Sequence, residues 1–470
     1  MTQMQKGDLR RQNMLEGNLL KVIPVIALPQ VITMLIDSLY NLADTYFVSQ
    51  LGSAATAAVG VNDSLMQLIR AISLAFGMGA SSYISRLLGA GDDEEASRAA
   101  STTLFTAMGF VALIAALSLC FLSPLINFLG ATESSKNYTM SYALWTLLFS
   151  PFTAATVCFS QTLRSEGSTT YAMIGSVSGC ILNVILDPLF ITTFGLEVAG
   201  AAIATGISKV VSCYVLFYPY IKRKSILDIR LHYFSPRASL YSEIARMGIP
   251  TGLRSSMMTF STIVINNVAG GFGDIALAAV SVANKCMKVV ASAIMGFGQG
   301  FQPIAGFCWG GRKYERVKKA FLYTSAIGIC LGALLGIVLG LFAEETITLF
   351  TAESSMIDIG VTLIRTQCVV LPLHVWVLIA SGLFQATGKP LQAGGLGLSR
   401  QVFALIPCVI ILPRVFGLIG LAHAQAVSDI VSFLIALMLV LPMMREINQL
   451  IKTTDTDSAI AEGVSYEEHP

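Results

Sequence analysis

Long apolar runs, separated by short polar breaks, dominate this sequence. The breaks occur at glycine, proline and clusters of charged residues, and they divide the chain into twelve apolar segments. A helix of about 20 apolar residues crosses the ~30 Å hydrocarbon core of a bilayer. The pattern therefore predicts an all-α integral membrane protein with twelve transmembrane helices. The predicted spans lie near residues 19–48, 55–86, 99–129, 137–164, 168–194, 198–221, 246–271, 275–309, 318–342, 356–386, 394–415 and 419–444.

The composition agrees with a membrane protein and gives no sign of an enzyme. Of the 470 residues, 54% are hydrophobic and 12% are charged, whereas soluble domains carry about 25% charged residues. The net charge of +2 gives no reason to expect a nucleic-acid partner. The nine cysteines show no CxxC spacing and the four histidines form no cluster, so we expect no zinc or haem centre and no cofactor. HExxH, GxSxG and phosphate-loop motifs are also missing.

Basic residues predict the orientation of the spans, because cytoplasmic loops are enriched in lysine and arginine. With the N-terminus inside, 21 of the 30 lysines and arginines fall in cytoplasmic segments, two fall outside and seven lie within spans. We therefore expect a multi-pass protein of a prokaryotic cell membrane with both termini in the cytoplasm. The predicted regions are an N-terminal segment (1–18), a six-helix lobe (19–221), a cytoplasmic linker (222–245), a second six-helix lobe (246–444) and a largely disordered tail (445–470).

The two halves of the chain repeat at a constant spacing. GSAATAAVGV, which starts at Gly52, resembles GDIALAAVSV, which starts at Gly273, and the shift that carries Gly52 onto Gly273 is called the repeat offset below. The same offset aligns FGMG at Phe76 with FGQG at Phe297, and 13 of 48 positions from Gly52 to Ala99 are identical. Because each half has an even number of spans, both copies have the same orientation. The repeat predicts two pseudo-symmetric bundles around an axis along the membrane normal, with substrate bound between them.

Two acids interrupt the apolar first span. Asp37, Asn41 and Asp44 are spaced i, i+4 and i+7, so they share one helical face. In the fifth span, Asn183 and Asp187 are spaced i and i+4. A charge at bilayer depth costs at least ~2.5–3.5 kcal/mol, so such groups pair with each other, line water or stay protonated.

The repeat separates these polar residues from residues that maintain the fold. A structural residue is expected in both halves, whereas a residue with a single task is not. The positions that the repeat offset assigns to these five residues in the second half carry no charge; they are Met258, Thr262, Ile265, Ala404 and Cys408. The acids therefore indicate a task that belongs to the first half alone.

Five motifs follow one another along the chain: LYNLADTYFVSQLG from Leu39, AAVGV from Ala57, NVILDP from Asn183, GLEVAGAAIAT from Gly195 and GQGFQPIAGFCWGGRKYERV from Gly298. In this order and spacing they resemble the multidrug and toxic compound extrusion (MATE) family, and its DinF-like branch in particular. The resemblance covers roughly residues 15–450. It implies twelve helices in two six-helix lobes. It also implies export of amphipathic, often cationic, compounds by an antiporter that inward flow of H⁺ or Na⁺ drives.

The resemblance further implies a cation-responsive site in the N-terminal lobe. Carried over to this sequence, its residues are Asp44, Tyr142, Asn183, Asp187 and Thr205. Sodium needs several converging oxygen ligands, which Asp44, Asn183, Asp187 and Thr205 supply, whereas a proton needs only one acid. We hypothesise that Asp44 and Asp187 form a coupled pair and that ion uptake lets the first span bend or repack.

Other polar residues within the spans have less certain roles. Asp37 stands where the family resemblance implies an amide or another neutral polar residue, so it belongs either to the coupling site or to the lining of the pore. We expect Asn41, which lies on the same helical face, to share the role of Asp37. Arg365 and Arg400 lie deep in the second half, where they either neutralise an acid or repel cations.

The sequence does not identify the transported substrate, and two functions remain open. We expect Met257, Met258, Met287 and Arg254 to line the substrate cavity, although the methionines equally fit core filling and the arginine equally fits snorkelling to the interface. The principal function is export of amphipathic or cationic compounds. The alternative is a flippase-like exporter of lipid-linked or other endogenous amphiphiles on the same fold. The expected partners are small molecules and the lipid bilayer, and the expected state is a monomer.

Overall fold

The computed structural model describes residues 3–49, 51, 53–129, 135–351 and 353–466. Within these ranges it contains helices and no strands. Two π-helical turns, Leu189–Thr193 and Ser399–Leu405, and a short 3₁₀ turn, Leu231–Tyr233, interrupt or join the helices. The α-helices are α1 (Gln3–Glu16), α2 (Leu19–Ser49), α3 (Ser53–Ala90), α4 (Asp93–Cys120), α5 (Leu122–Phe128), α6 (Lys136–Ser165), α7 (Thr169–Pro188), α8 (Glu197–Ile221), α9 (Ala238–Gly270), α10 (Asp274–Gly310), α11 (Tyr314–Leu341), α12 (Ala343–Thr348), α13 (Ser354–Ala386), α14 (Pro390–Leu398) and α15 (Ile406–Tyr466).

Twelve helical crossings can be traced through the described residues, which confirms the predicted fold class. Nine stretches are long and apolar enough to cross a membrane. The last of these stretches contains two crossings, because Gly417 has φ 61° and ψ −143° and interrupts α15. The helices α3 and α9 complete the set. They are 38 and 33 residues long but carry charged residues, such as Asp63 and Arg254, that lower their hydropathy.

Several helices begin earlier than the apolar segments that predicted them. The α4 helix begins at Asp93 rather than near residue 99, because the side chain of Asp92 accepts a hydrogen bond from the backbone N–H of Glu95 (3.0 Å) and caps the helix. The acids of the first turn also favour the positive end of the helix dipole. The α9 helix begins at Ala238 rather than near 246. Polar residues form these first turns, so hydropathy alone does not detect them.

The C-terminal segment differs from the predicted disorder. The α15 helix continues through Thr453 to Tyr466. This stretch contains no proline and only one glycine, Gly463, so nothing in it removes a helical hydrogen bond. Residues 467–470 of the predicted tail lie outside the described residues, as does Gly52, the first residue of the repeat motif.

The two lobes, α2–α8 and α9–α15, meet along a seam of glycines on α3 and α10. A Cβ atom on Gly89 would overlap the carbonyl oxygen of Phe307, and a Cβ atom on Gly310 would overlap the carbonyl oxygen of Arg86. The two contacts are equivalent by the internal repeat, because the repeat offset carries Gly89 onto Gly310 and Arg86 onto Phe307. Only a residue without a side chain permits this approach of two backbones.

A second pair of contacts related by the repeat offset lies further along the helices. A Cβ atom on Gly79 would collide with α9 beside Gly248, and a Cβ atom on Gly300 would collide with α2 at Ala27. The repeat offset relates Gly79 to Gly300 and Ala27 to Gly248. The contacts between the lobes therefore obey a two-fold pseudo-symmetry that places helices of equal direction opposite each other. This is the parallel arrangement that the sequence repeat predicts.

The seam lies at the end of the lobes from which the N-terminus and the linker emerge, since α2 and α9 begin there and α3 and α10 end there. The short helix α1 bridges the lobes at this end. Arg11 donates to the carbonyl oxygen of Leu88 (2.9 Å) and pairs with Asp93 in the N-terminal lobe. Arg316 of the C-terminal lobe donates to the carbonyl oxygen of Met14 (2.9 Å). The lobes are thus held together at this end.

The outer faces of the helices are apolar. Large aliphatic side chains are exposed there, for example Leu113, Leu148, Ile185, Leu334 and Met438. In water, apolar surface of this extent would be unfavourable, whereas in a bilayer it contacts lipid tails at no cost. The exposed faces therefore match the membrane environment that the composition predicts.

A buried ion pair joins the final crossing to the π-helical turn that precedes it. Nε of Arg400 donates to Oδ1 of Asp429 at 2.5 Å, and Nδ1 of His374 lies 3.4 Å from the same oxygen. Of the two roles that the sequence left open for Arg400, neutralising an acid or repelling cations, the structure supports the first. Arg365, in contrast, is exposed and donates to the carbonyl oxygen of Gly340 (3.2 Å).

Replacing Gly89 by valine is expected to separate the lobes at the seam, because the new side chain would occupy the space of the Phe307 carbonyl. Hydrogen exchange of the purified protein, read by mass spectrometry, should become faster at the inner ends of α3 and α10 and in α1. The matched control is Gly109→Val on α4, where an added Cβ meets nothing within 4 Å. Equal exchange in both variants would contradict this account of the seam.

Removing the Asp429 charge is expected to destabilise the C-terminal lobe, because Arg400 would keep a buried charge without a partner. Breaking one side of a buried pair typically costs about 3–5 kcal/mol. Asp429→Asn should therefore lower the melting temperature in detergent, while Asp358→Asn, at an exposed position of α13, should not. The double variant Arg400→Gln/Asp429→Asn should be more stable than Asp429→Asn alone. A double variant that is less stable would count against the pairing.

Candidate ion-coupling site and interlobe cleft

Neighbouring faces of α7 and α8 bring three of the predicted site residues together. The amide nitrogen of Asn183 donates to Oδ1 of Asp187 (3.2 Å) and to the hydroxyl of Thr205 (3.1 Å). Asn183 and Asp187 are 1% and 0% exposed. The two helices approach closely one turn earlier, where a Cβ atom on Gly179 would lie 2.8 Å from Cβ of Ser212. This small residue allows Asn183 to reach across to α8.

The α2 helix adds the fourth residue. Asp44 lies close enough to Asp187 for the two carboxylates to repel each other. Tyr142 of α6, which is 7% exposed, lies within electrostatic reach of both acids. Asp44, Tyr142, Asn183, Asp187 and Thr205 therefore lie in one region inside the N-terminal lobe. The grouping agrees with the constellation that the resemblance implied.

Asp37 and Asn41 lie on α2 before Asp44. The side-chain amide of Asn41 donates to the backbone carbonyl of Asp37 (2.5 Å), so it stabilises its own helix. The Asp37 carboxylate is half-buried, and the charge that interacts with it is Arg164 near the inner end of α6. Arg164 in turn donates to Oε1 of Gln299 in the other lobe (2.7 Å). Asp37 thus lies between the acid pair and the lobe interface.

The sequence reasoning missed two residues of the site. Tyr40 lies one turn before Asp44, and its hydroxyl interacts with Thr205. Asp63 of α3 lies close enough to Asp44 to repel it. Asp63 carried the signal that identified the other acids, a carboxylate inside an apolar segment. Tyr40 carried none, because a tyrosine beside leucines reads as an ordinary apolar position.

The oxygen atoms at this site fit a small cation. Oδ1 of Asp44, Oδ1 of Asn183 and Oδ2 of Asp187 are buried and accept no hydrogen bond. Buried polar atoms without a partner are rare, and carboxylate and amide oxygens are ligands that suit Na⁺ or receive H⁺. The arrangement can therefore take up either ion, and either one reduces the repulsion between the two acids.

The pseudo-symmetric position in the C-terminal lobe has no such charge. A small cavity lies there, and none of the residues that line it is charged. Ile265 and Asn284 line this cavity at the positions that the repeat offset assigns to Asp44 and Asp63. The C-terminal cavity thus lacks acids, so the acid cluster belongs to one lobe.

A second feature is a cleft between the lobes, with about 390 Å³ of space that includes its opening to solvent. Arg254, one of the residues predicted for the substrate cavity, lines this cleft together with Met78 and Met295. The other predicted lining residues do not line this cleft: Met287 is buried in the core, Met258 is 43% exposed and Met257 is half-buried. The remaining lining residues are Gly298, Gln299, Gln302, Leu378, Ser381, Gly382 and Gln385.

Comparison with known proteins supports the internal repeat. The sequence model of the MatE family matches the chain twice, over residues 29–189 and over residues 250–410. The repeat offset carries both bounds of the first match onto those of the second. The family model thus shows the same offset as the sequence repeat and the glycine seam.

Relatives match over nearly the full length. The multidrug export protein MepA of Staphylococcus aureus (strain NCTC 8325 / PS 47) is 25% identical over 425 residues, which cover 89% of this chain and 93% of MepA. A crystal structure of MATE in complex with MaL6 is 29% identical, with a TM-score of 0.87 and coverage of 94% and 99%. An outward-facing structure of a multidrug resistance MATE family transporter of the MOP superfamily is 28% identical, with a TM-score of 0.88 and coverage of 94% and 98%. The chain therefore belongs to the multidrug and toxic compound extrusion family of membrane transporters, whose members are not enzymes.

Proposed function

We propose that this protein is a secondary antiporter that exports amphipathic or cationic compounds across the cell membrane and is driven by inward flow of H⁺ or Na⁺. The observation that carries the proposal is the acid pair Asp44–Asp187, buried in a bilayer-spanning lobe with free oxygen atoms around it. Buried acids of this kind in a transporter mark ion pathways. The names of the relatives, which include a multidrug export protein, support export of several compounds.

The closed glycine seam defines the conformational state within this proposal. With both termini in the cytoplasm, as the distribution of basic residues predicts, the seam seals the cytoplasmic side. The lobes then face outward, in a state suited to releasing cargo and taking up an ion. The similarity to a relative described as outward-facing agrees with this assignment.

Ion uptake acts on α2 in this mechanism. Pro24 and Pro29 lie inside α2 and remove helical hydrogen bonds between its inner end and Asp44. Filling the site with H⁺ or Na⁺ removes repulsion between Asp44 and Asp187, which favours a different packing of α2 against α7 and α8. Relatives have been solved in a straight and in a bent conformation, both 28–29% identical to this chain.

Coupling requires only that the ion and the cargo favour different states of the lobes. In the proposed cycle the occupied site favours the state that releases cargo, and loss of the ion to the cytoplasm restores the state that binds it. No covalent chemistry takes part. The energy for export comes entirely from the ion gradient.

The second candidate function, a flippase-like exporter of endogenous amphiphiles, is kept because of the interlobe cleft. The cleft has an arginine and several amides in its lining but no acid. A relative from Pyrococcus furiosus, 28% identical with a TM-score of 0.86, is described as having reversed polarity of its binding pocket, which was taken to suggest a different function. Cargo with a negative group therefore needs to be tested alongside cationic drugs.

Proteoliposomes that contain the purified protein test the main proposal. An imposed pH gradient or an imposed Na⁺ gradient should accelerate ethidium transport several-fold over protein-free liposomes, and an ionophore that dissipates the gradient should remove the effect. The gradient that succeeds identifies the coupling ion. Absence of acceleration with both gradients would reject antiport of this compound.

Replacing Asp187 by asparagine should uncouple the antiporter, because the acid pair loses the charge that the ion neutralises. Coupling of 1–3 kcal/mol corresponds to about 5–150-fold, so gradient-driven export should fall by about tenfold or more. Binding of ethidium, measured by fluorescence, should persist. The matched control is Asp274→Asn, at an exposed position at the start of α10. Export by Asp187→Asn at the rate of this control would refute the assignment.

A further inference from the structure

Arg254 points into the interlobe cleft rather than toward lipid. It lies on α9, and its side chain passes beneath α14, where a Cβ atom on Gly397 would lie 2.8 Å from Cδ of Arg254. The missing side chain at Gly397 leaves the space that the arginine occupies. The guanidinium thereby reaches a cleft whose wall includes Gln299 and Gln302. A snorkelling arginine would instead extend along the outer surface.

No acid neutralises Arg254 among the described residues. It takes part in no ion pair, and its Nε atom is buried without an acceptor. The charge that acts most on Arg254 is that of Arg400, which is also positive and therefore repels it. Arg400 itself is paired with Asp429. An unpaired guanidinium is strongly unfavourable in a protein interior, so this position favours a negative group within reach.

The rest of the cleft also offers hydrogen-bond donors. Gln302 is 6% exposed, lines the cleft, and its Nε2 atom has no partner. Oε1 of Gln299 already accepts a hydrogen bond from Arg164 (2.7 Å), which leaves the amide nitrogen of Gln299 free to donate. None of the ten residues that line the cleft is acidic. A buried cation and amide donors with no carboxylate beside them are typical of a binding site for an anion.

We propose that the cleft binds the anionic group, a carboxylate or a phosphate, of an amphipathic cargo, with Arg254 as its direct partner. Met78, Met295 and Leu378 line the same cleft and contact the apolar body of that cargo. This inference rests on the proposed export function and names a second substrate class for it. Zwitterionic and anionic amphiphiles join the cations that the family resemblance implies.

The position of Arg254 in the repeat supports a dedicated role. Its equivalent in the N-terminal lobe is Thr33, which donates its hydroxyl to the carbonyl oxygen of Pro29 within its own helix. The arginine therefore serves a task of the second lobe alone. The acid pair Asp44–Asp187 belongs to the first lobe. The unpaired cation and the acid pair thus belong to different lobes.

Two dyes that differ by one charge test the proposal. Rhodamine B carries a free carboxylate beside its cationic ring system, and its ethyl ester carries the ring system alone. Fluorescence anisotropy with purified full-length protein gives the Kd of each dye. Arg254→Gln should raise the Kd of rhodamine B about tenfold or more, since a charge-assisted hydrogen bond is lost, and should change the Kd of the ester by less than about twofold. Arg254→Lys, which keeps the charge but loses the forked geometry, should lie between.

Control and competition experiments refine the assignment. Arg365→Gln, which removes an exposed arginine of the same lobe, should leave both dyes unaffected. Dodecyl phosphate should displace rhodamine B from the wild-type protein, whereas dodecyltrimethylammonium should not, and this pair shows whether a phosphate is accepted as well as a carboxylate. If Arg254→Gln does not fold, Gln302→Leu provides the same test, with a several-fold loss for rhodamine B alone.

The proposal is overturned if Arg254→Gln weakens both dyes equally, because that result assigns Arg254 to the closure of the lobes. It is also overturned if neither dye is affected. Ethidium export by the wild-type protein under an imposed gradient reports the export function separately. A transporter that exports ethidium but does not distinguish the two dyes would therefore disprove the anion site and leave antiport intact.

Discussion

The approach of two backbones across the glycine seam is the constraint on which the rest of this structure depends. At its centre Ser85 faces Gly306, and the repeat offset carries the first of these residues onto the second, so the pseudo-symmetry axis passes between them. At Gly89 and Gly310 neither side admits a side chain, since a Cβ atom on either glycine would overlap the facing backbone. The seam therefore fixes the relative position of the lobes, and with it the depth at which cleft and ion site lie.

Much of this architecture could be predicted from the sequence, because its physical causes are repeated along the chain. The spans follow from apolar runs, and the repeat offset follows from glycines that recur at seam positions such as Gly89 and Gly310. Asp44, Asn183 and Asp187 stood out since polar groups in apolar segments are costly. Tyr40 did not, because its role depends on how α2 is rotated toward α8. The inward path of Arg254 depends on Gly397, a partner far away in sequence that no local pattern identifies.

Gene duplication gave this protein two lobes of the same fold, and the two lobes carry different polar and charged side chains. The acids of the N-terminal lobe are replaced by Ile265 and Asn284 at the equivalent cavity of the C-terminal lobe. That lobe instead contains the Arg400–Asp429 pair and the unpaired Arg254. Similar helices suit a symmetric motion of the lobes, whereas the proposed antiport of an ion and a cargo needs two unlike sites. The division of charge between the lobes satisfies both requirements.

The bridge formed by α1 has a practical consequence for anyone who handles this protein. Arg11 ties α1 to the N-terminal lobe and Met14 ties it to the C-terminal lobe, so this helix crosses the interface between the lobes. The α15 helix differs, because Lys318 and Lys389 connect it to helices of its own lobe. A fluorescent protein or affinity label placed ahead of α1 would therefore load a helix that contacts both lobes. The same label placed after α15 would load a helix that contacts the C-terminal lobe.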